Sequence, residues 1–369
     1  MSWPTVPLGE LARPKQWPIL SRAEMAPIGY PLFSANGQIG FAETYTHEHP
    51  TLLVGCRGSC GSLHVTPPKA YANGNAMALD SLDTRRIDLR FLFRYLEKRG
   101  FEDVISGSSQ PQITRQTITR VVVPLPPLEE QRRIAAILDQ ADALRRKRKE
   151  ASALLARLVD SLFDVMFGRK LSKWPKTRFA NLLAEPLRNG VSPASDGIHM
   201  ASVLTLSAVT GERFDESATK VAYFKSDPPQ NQRVCSGDIL ICRGNGNRAL
   251  VGRGFLPRVD VPEVVFPDTV IAGRINGKVI EPVFLEYLWN SEMVRRQIQS
   301  MARTTNGTFK VNQSMLESVE LIDPPIVLQQ FFAENLQKAE EHRERILGQT
   351  KLFDALFASL QDRAFRGEL

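Results

Sequence analysis

The feature that most constrains this chain is that it repeats itself. Pro126-Pro127-Leu128-Glu129-Glu130-Gln131 lines up with Pro324-Pro325-Ile326-Val327-Leu328-Gln329 at an offset of 198 residues. The same offset superposes Leu138 on Leu336, Arg145 on Arg343, Leu154 on Leu352, Leu158 on Leu356, Ser161 on Ser359 and Phe167 on Phe365. Further upstream the offset becomes 186, where Leu53-Val54-Gly55-Cys56-Arg57-Gly58 matches Ile239-Leu240-Ile241-Cys242-Arg243-Gly244, so the second copy has gained about twelve residues between these blocks. Two blocks recurring in the same order predict one plan used twice: a globular part, a long helix, a globular part, a long helix.

The helical segments start cleanly. Pro126 and Pro127 are tolerated in a first turn, whose N–H groups have no intrahelical partner in any case, and Glu129 and Glu130 complement its positive end. No further Pro or Gly follows until Gly168, which predicts a rod of about 41 residues, on the order of 60 Å at ~1.5 Å per residue. Its apolar positions follow a heptad, with Ile134, Ala141, Arg148, Leu155 and Leu162 at a and Ile137, Leu144, Ala151, Leu158 and Val165 at d. The second helix, about 326 to 366, offers a rougher one-sided stripe. Each stripe needs cover, and the simplest cover for each is the other. An antiparallel coiled coil is therefore expected, packed through Ile134, Ile137, Leu144, Leu155, Leu158 and Leu162 against Phe332, Leu336, Ile346, Phe353, Leu356 and Leu360. The basic run Arg145-Arg146-Lys147-Arg148-Lys149 reads either as a solvated face, with Arg148 a weak point in the seam, or as a contact for phosphate or an acidic partner.

In the globular parts, short β-rich runs at 51–54, 121–123, 238–242, 264–266 and 269–271 are punctuated by Gly, Pro and Asn, and helical stretches intervene at 87–99 and 281–301. The fold class is thus α/β: two pseudo-repeated mixed α/β domains separated by two long helices. The loop after the Cys-Arg-Gly strand is rich in small polar residues in both copies. Arg57, Ser59 and Ser62 in the first, and Arg243, Asn245, Asn247 and Arg248 in the second, are side chains that can address phosphates and base edges, while the intervening glycines let the backbone approach closely. A tight hairpin with exposed polar residues is the competing reading. A second block precedes each Pro-Pro start and holds Ser109, Gln110, Gln112 and Arg115, or Asn306, Thr308, Lys310 and Asn312. These suit a loop touching DNA and equally suit helix-capping turns.

Composition narrows the class. Of the +7 net charge, the excess sits in the globular parts, with 13 basic against 10 acidic residues over 1–126 and 20 against 16 over 169–325; this suits a polyanionic partner. Four cysteines, Cys56, Cys60, Cys235 and Cys242, make neither a disulfide framework nor, with five scattered histidines, a zinc site, and a reducing cytoplasm is expected. The sequence has no run of 18 apolar residues, and its start shows no leader pattern, so a membrane is not expected among its partners. Catalytic classes fare poorly. Asp323-Pro324-Pro325-Ile326 and Asp227-Pro228-Pro229-Gln230 lack the aromatic of an adenine methyltransferase loop, and no phosphate-binding G-x-x-x-x-G-K-[ST] occurs. Asp238, the most conspicuous lone acid, is read as a turn residue. No catalytic residue, metal or cofactor is assigned. A helical scaffold that organises proteins without reading DNA is the competing class.

The two halves, closing with Gly-Ser-Ser-Gln-Pro-Gln-Ile or Thr-Asn-Gly-Thr-Phe-Lys-Val and followed by Pro-Pro-x-x-x-Gln, carry a resemblance to the specificity subunits of type I restriction–modification systems. The resemblance implies target-recognition domains over 1–125 and 169–323, a central helix over 126–168 and a distal helix over 324–369. It implies that each domain reads one half of a bipartite site in double-stranded DNA while the helices set the gap. It further implies that DNA methyltransferase (modification) subunits, expected as a pair and using S-adenosylmethionine, dock on the helices, and that a restriction motor joins them.

Overall fold

The computed structural model describes residues 3–107, 110–168, 173–305 and 307–369. The chain divides into two compact units, residues 1–152 with 345–369, and residues 153–344. The division cuts through both long helices, so each helix contributes one stretch to each unit.

In the first unit the run of buried residues at 52–55 becomes the third strand of an antiparallel sheet ordered Arg13–Gln16, Ala76–Asp80, Leu52–Gly55, Leu63–Val65. Successive side chains of a strand face opposite ways. Leu52 and Val54 accordingly join the main core with Met77 and Leu79, whereas Leu53 joins Ala76 and Ala78 on the other face. That second face meets a smaller sheet, Gly37–Ala42, Tyr30–Ser34, Tyr71–Ala72, whose last pair is parallel. The main core is closed by helix α1 (Leu89–Arg99), capped by the Asp88 carboxylate, which accepts from the amides of Arg90 and Phe91 at 2.9 and 3.0 Å. A short helix α2 (Arg115–Ile118) follows, and then the long helix α3 (Leu128–Met166). Ile134, Ala135 and Leu138 of α3 enter this core.

The second unit repeats the plan. An antiparallel sheet ordered Arg188–Asn189, Val270–Arg274, Asp238–Cys242, Gly254–Phe255 stands beside a smaller sheet in which His199–Leu204 runs parallel to Val261–Val265. Two helices, α4 (Pro282–Asn290) and α5 (Glu292–Met301), replace the single α1 and the turn after it; α6 (Gln313–Glu317) and the long α7 (Ile326–Arg366) follow. The stretch expected as one helix over 281–301 is broken at Ser291, whose extended backbone ends α4 while its hydroxyl donates to the Leu288 carbonyl at 2.6 Å.

The repeat holds at the level of single hydrogen bonds. The amides of Leu8 and Phe179 donate to the carbonyls of Val121 and Val319 at 2.7 and 2.9 Å, and those of Leu125 and Asp323 both donate at 2.8 Å, to the carbonyls of Pro4 and Pro175. Gln131 and Gln329 are both fully buried. The Gln131 amide donates to the carbonyls of Pro126 and Arg86 at 2.8 and 2.9 Å and accepts from the Asp88 amide at 2.7 Å. Gln329 donates to the Pro324 carbonyl at 2.7 Å and accepts from the Glu281 amide at 2.9 Å. Each glutamine thereby fastens the start of its long helix to the start of its domain's own helix.

The expected aliphatic seam between the long helices needs correction. In the first unit α3 and α7 run antiparallel, but arginines and rings join them: Arg145 lies 4.4 Å over the Phe357 ring and bonds Asp354 at 2.7 Å, and Arg148 lies 4.3 Å over Phe353. Arg148 is thus a stacked contact rather than a weak point. Ile134 is buried in a core that the domain shares with Phe357 and Ala364 of α7, and Ile137, Ile346, Phe353 and Leu360 are half-buried. In the second unit Phe332 and Leu336 are buried, Leu155 and Leu162 are half-buried, and Phe332 packs edge-on against Phe163 and Phe167 at 5.6 and 5.8 Å. Leu144, Leu158 and Leu356 stand 53%, 60% and 54% exposed and join no seam. A helix that must cover both a globular domain and another helix cannot keep one 3.5-residue stripe, because an untwisted helix drifts by about 20° per heptad.

Candidate nucleic-acid interface

Both units bring the two polar blocks together. In the first, Arg57 forms an isolated bridge to Gln112, and the Ile113 amide donates to the Cys56 carbonyl at 3.1 Å. Arg57, Gly58, Gln110, Pro111 and Gln112 line a cleft of about 260 Å³. The Cys60 thiol, not foreseen as part of the site, ties the loops by donating to the Pro111 carbonyl at 3.0 Å. Gly55 lets the loop close, since a Cβ there would come within 2.2 Å of the Ser59 carbonyl oxygen. Arg57, Gln110, Gln112 and Arg115 are exposed. Ser59 bonds Asn36 and stays at the surface. Ser62 turns inward to the carbonyls of Ala35 and Ser59, which makes it a loop-closing residue rather than a reader. Ser109 lies outside the described residues.

In the second unit the pairing is a three-stranded sheet, Gly244–Asn245, Thr308–Lys310, Arg303–Thr305. Lys310 is exposed and Thr308 half-buried. Arg243 is held by the Asp268 carbonyl at 3.1 Å, and Arg248 donates twice to the Gln299 carbonyl, at 3.0 and 2.6 Å. The side-chain oxygens of Asn245 and Asn247 accept from the amides of Asn247 and Ala249 at 2.8 and 3.0 Å, so both shape the loop. Asn312 is corrected to a helix cap, accepting from the Met315 amide of α6 at 2.9 Å; Asn306 lies outside the described residues. Residues 2–152 match the family described as the type I restriction modification DNA specificity domain.

Residues 2–152 thus carry a type I restriction–modification DNA specificity domain, and the chain is similar to the specificity subunits of those systems. It is 24% identical over 296 residues to the type I restriction enzyme EcoKI specificity subunit of Escherichia coli K12, covering 74% of this chain and 63% of that protein's length. With the EcoprrI specificity subunit of Escherichia coli it shares 30% identity over 135 residues, 36% of this chain and 33% of the other. The fold matches the crystal structure of the S subunit from M. genitalium with a TM-score of 0.66 at 15% identity, covering 99% and 96% of the two chains. It matches a chain from a study of complex assembly and conformational transition in the type I system with 0.53 at 18% identity, covering 100% and 98%.

Other conspicuous groups of this chain have structural work. Asp238, expected in a turn, lies in a strand with no exposure, clamped between Arg188 and the Arg274 Nε at 2.6 Å. That carboxylate and its hydrogen bonds hold the Arg274 guanidinium above its ordinary pKa. Burial pushes the Cys56 thiol up and the Cys242 thiol to about 11, so both stay protonated at neutral pH. Among the described residues no three His, Cys, Asp or Glu side chains converge as a metal site, and no helix is long and apolar enough to cross a membrane. A Trp-Pro pair passed over in the sequence, Trp3-Pro4 and Trp174-Pro175, marks the start of each repeat. Its signal was available, since in both copies the proline carbonyl accepts the bond described above.

Proposed function

We propose that this subunit reads a bipartite sequence in double-stranded DNA in the cytoplasm, one half-site per unit, and leaves the chemistry to the chains it recruits. Recurrence of the paired loops carries the reading: an Arg-Gly loop is laid beside a polar hairpin in both units, although the sequences of the hairpins differ. In the first unit the exposed readers are Arg57, Gln110, Gln112 and Arg115, of which arginine and glutamine can make bidentate pairs with guanine and adenine respectively. In the second they are Arg248 and Lys310, with the half-buried Thr308 beside them, on a loop shaped by Asn245 and Asn247.

The recruited chains are two modification subunits, adenine methyltransferases using S-adenosylmethionine, which a restriction motor joins. Their docking surface is a doubled one. Leu154 and Leu158 on α3 and their repeat equivalents Leu352 and Leu356 on α7 are 66%, 60%, 60% and 54% exposed, one apolar stripe in each unit. Methylome sequencing of a host expressing this chain with its neighbouring methyltransferase tests the reading. The expected result is methylation at one bipartite motif with a fixed gap; methylation that ignores sequence, or none, refutes it and favours a scaffold.

A further inference from the structure

The loops at the two candidate interfaces are backed differently. In the first unit the 57–62 loop rests on an apolar residue: a Cβ on Gly61 would come within 3.2 Å of the Phe101 ring. In the second unit the turn that carries Phe101 is replaced by α5, and α5 holds the loop through arginine. The Arg295 Nη2 donates to the carbonyls of Ala249 and Val251, the first at 3.1 Å, directly behind the 244–248 segment. Its Nη1 is buried and finds no acceptor among the described residues. Arg295 as a whole is 8% exposed. The same helix receives the two bonds from Arg248 at the Gln299 carbonyl. Gly252, at φ 72°, lets the chain pass so close to α5 that a Cβ would come within 2.3 Å of Ile298.

A buried guanidinium is a costly way to hold a loop, because a charge taken from water is incompletely repaid by carbonyls, and a well-packed apolar side chain serves stability as well or better. What an apolar side chain lacks is direction: guanidinium donors sit in a rigid fork and fix the carbonyls they meet. Burial draws the Arg295 pKa down to about 10, which still leaves it charged at neutral pH.

Resting on the reading of these loops as DNA-facing, we propose that Arg295 is a positioning residue for the second half-site: it fixes the posture of the loop after Cys242-Arg243 and so sets how stringently that half-site, and not the other, is read. The test uses the complete complex with its modification subunits and duplexes carrying single changes in either half of the site found for the wild type. Arg295→Met is expected to lower discrimination at the second half-site at least tenfold, with first-half discrimination and the unfolding midpoint unchanged; Arg295→Lys, which keeps one charged donor, should recover part of it. If Arg295→Met does not fold, Arg295→Lys alone decides, with a loss of about threefold or more confined to the second half-site expected. Unchanged second-half discrimination in the variant that folds, or equal loss at both halves, overturns the proposal. A wild-type complex blind to sequence would overturn the DNA reading itself, a result separable from these.

Discussion

Replacing Gln131 or Gln329 by leucine removes a fully buried amide of nearly the same volume and leaves its partners where they are. For Gln131 these are the Asp88 amide and the carbonyls of Arg86 and Pro126; for Gln329 they are the Glu281 amide and the Pro324 carbonyl. A buried polar group left without a partner costs about 1–3 kcal/mol. The loss is therefore roughly 3–5 kcal/mol at Gln131 and roughly 2–4 kcal/mol at Gln329, since carbonyls tolerate desertion better than amides and neighbouring losses do not add fully. Urea unfolding of each variant measures it, and Gln131→Leu should be the more damaged by about 1 kcal/mol. Limited proteolysis localises it, with Gln131→Leu loosening the first unit and Gln329→Leu the second. A cost under about 0.5 kcal/mol for both variants would refute the view that these bonds fasten helix to domain.

Asp238→Ala strands Arg188 and Arg274 without their carboxylate and should destabilise the second unit by roughly 3 kcal/mol, read as a lowered urea midpoint with the first unit's proteolysis pattern intact. The Glu286 carboxyl is raised above its ordinary pKa by burial, against the lowering influence of Arg258, which bonds it at 2.9 Å. Folded protein thus binds more protons there than unfolded protein does, and this group's contribution falls as pH rises from the ordinary carboxylate range through the raised value. Glu286→Gln keeps an acceptor for the Leu256 amide, now at 3.0 Å, and removes the charge; its stability relative to wild type should improve across that window, and an unchanged difference between pH 4 and 7 contradicts the assignment. Leu158→Glu and Leu356→Glu, at exposed positions, should leave unfolding within about 0.5 kcal/mol of wild type while weakening capture of one modification subunit each at least tenfold. Full retention of both subunits in co-purification would remove the stripes from the docking surface.

The two-copy plan was legible because certain backbone jobs admit few residues. Pro-Pro opens a helix, and in both copies glutamine four positions on reaches back to the carbonyl before it. The helix partnership was less legible. Ile134 and Leu158 are alike in a heptad, yet one is buried in a core built by the domain together with α7 and the other faces outward; the positions of the domain and the second helix distinguish them. Among the small polar candidates, Ser62, Asn245, Asn247 and Asn312 satisfy their own loops with the same groups that could meet a base, and composition cannot tell those uses apart. Arg295 had no signal, because one arginine on an amphipathic helix reads as a wet face until the loop lying over it is known.

The glutamine fastenings touch only main chain on the domain side: a carbonyl at Arg86, amides at Asp88 and Glu281. Every amino acid but proline offers both groups, so the joint grips a path of backbone and is blind to the side chains borne on it. A foreign domain that follows the same path would be held as firmly as the resident one. The loops proposed to read DNA can therefore change without renegotiating how they are mounted, a socket standard that lets the tool change while the handle stays.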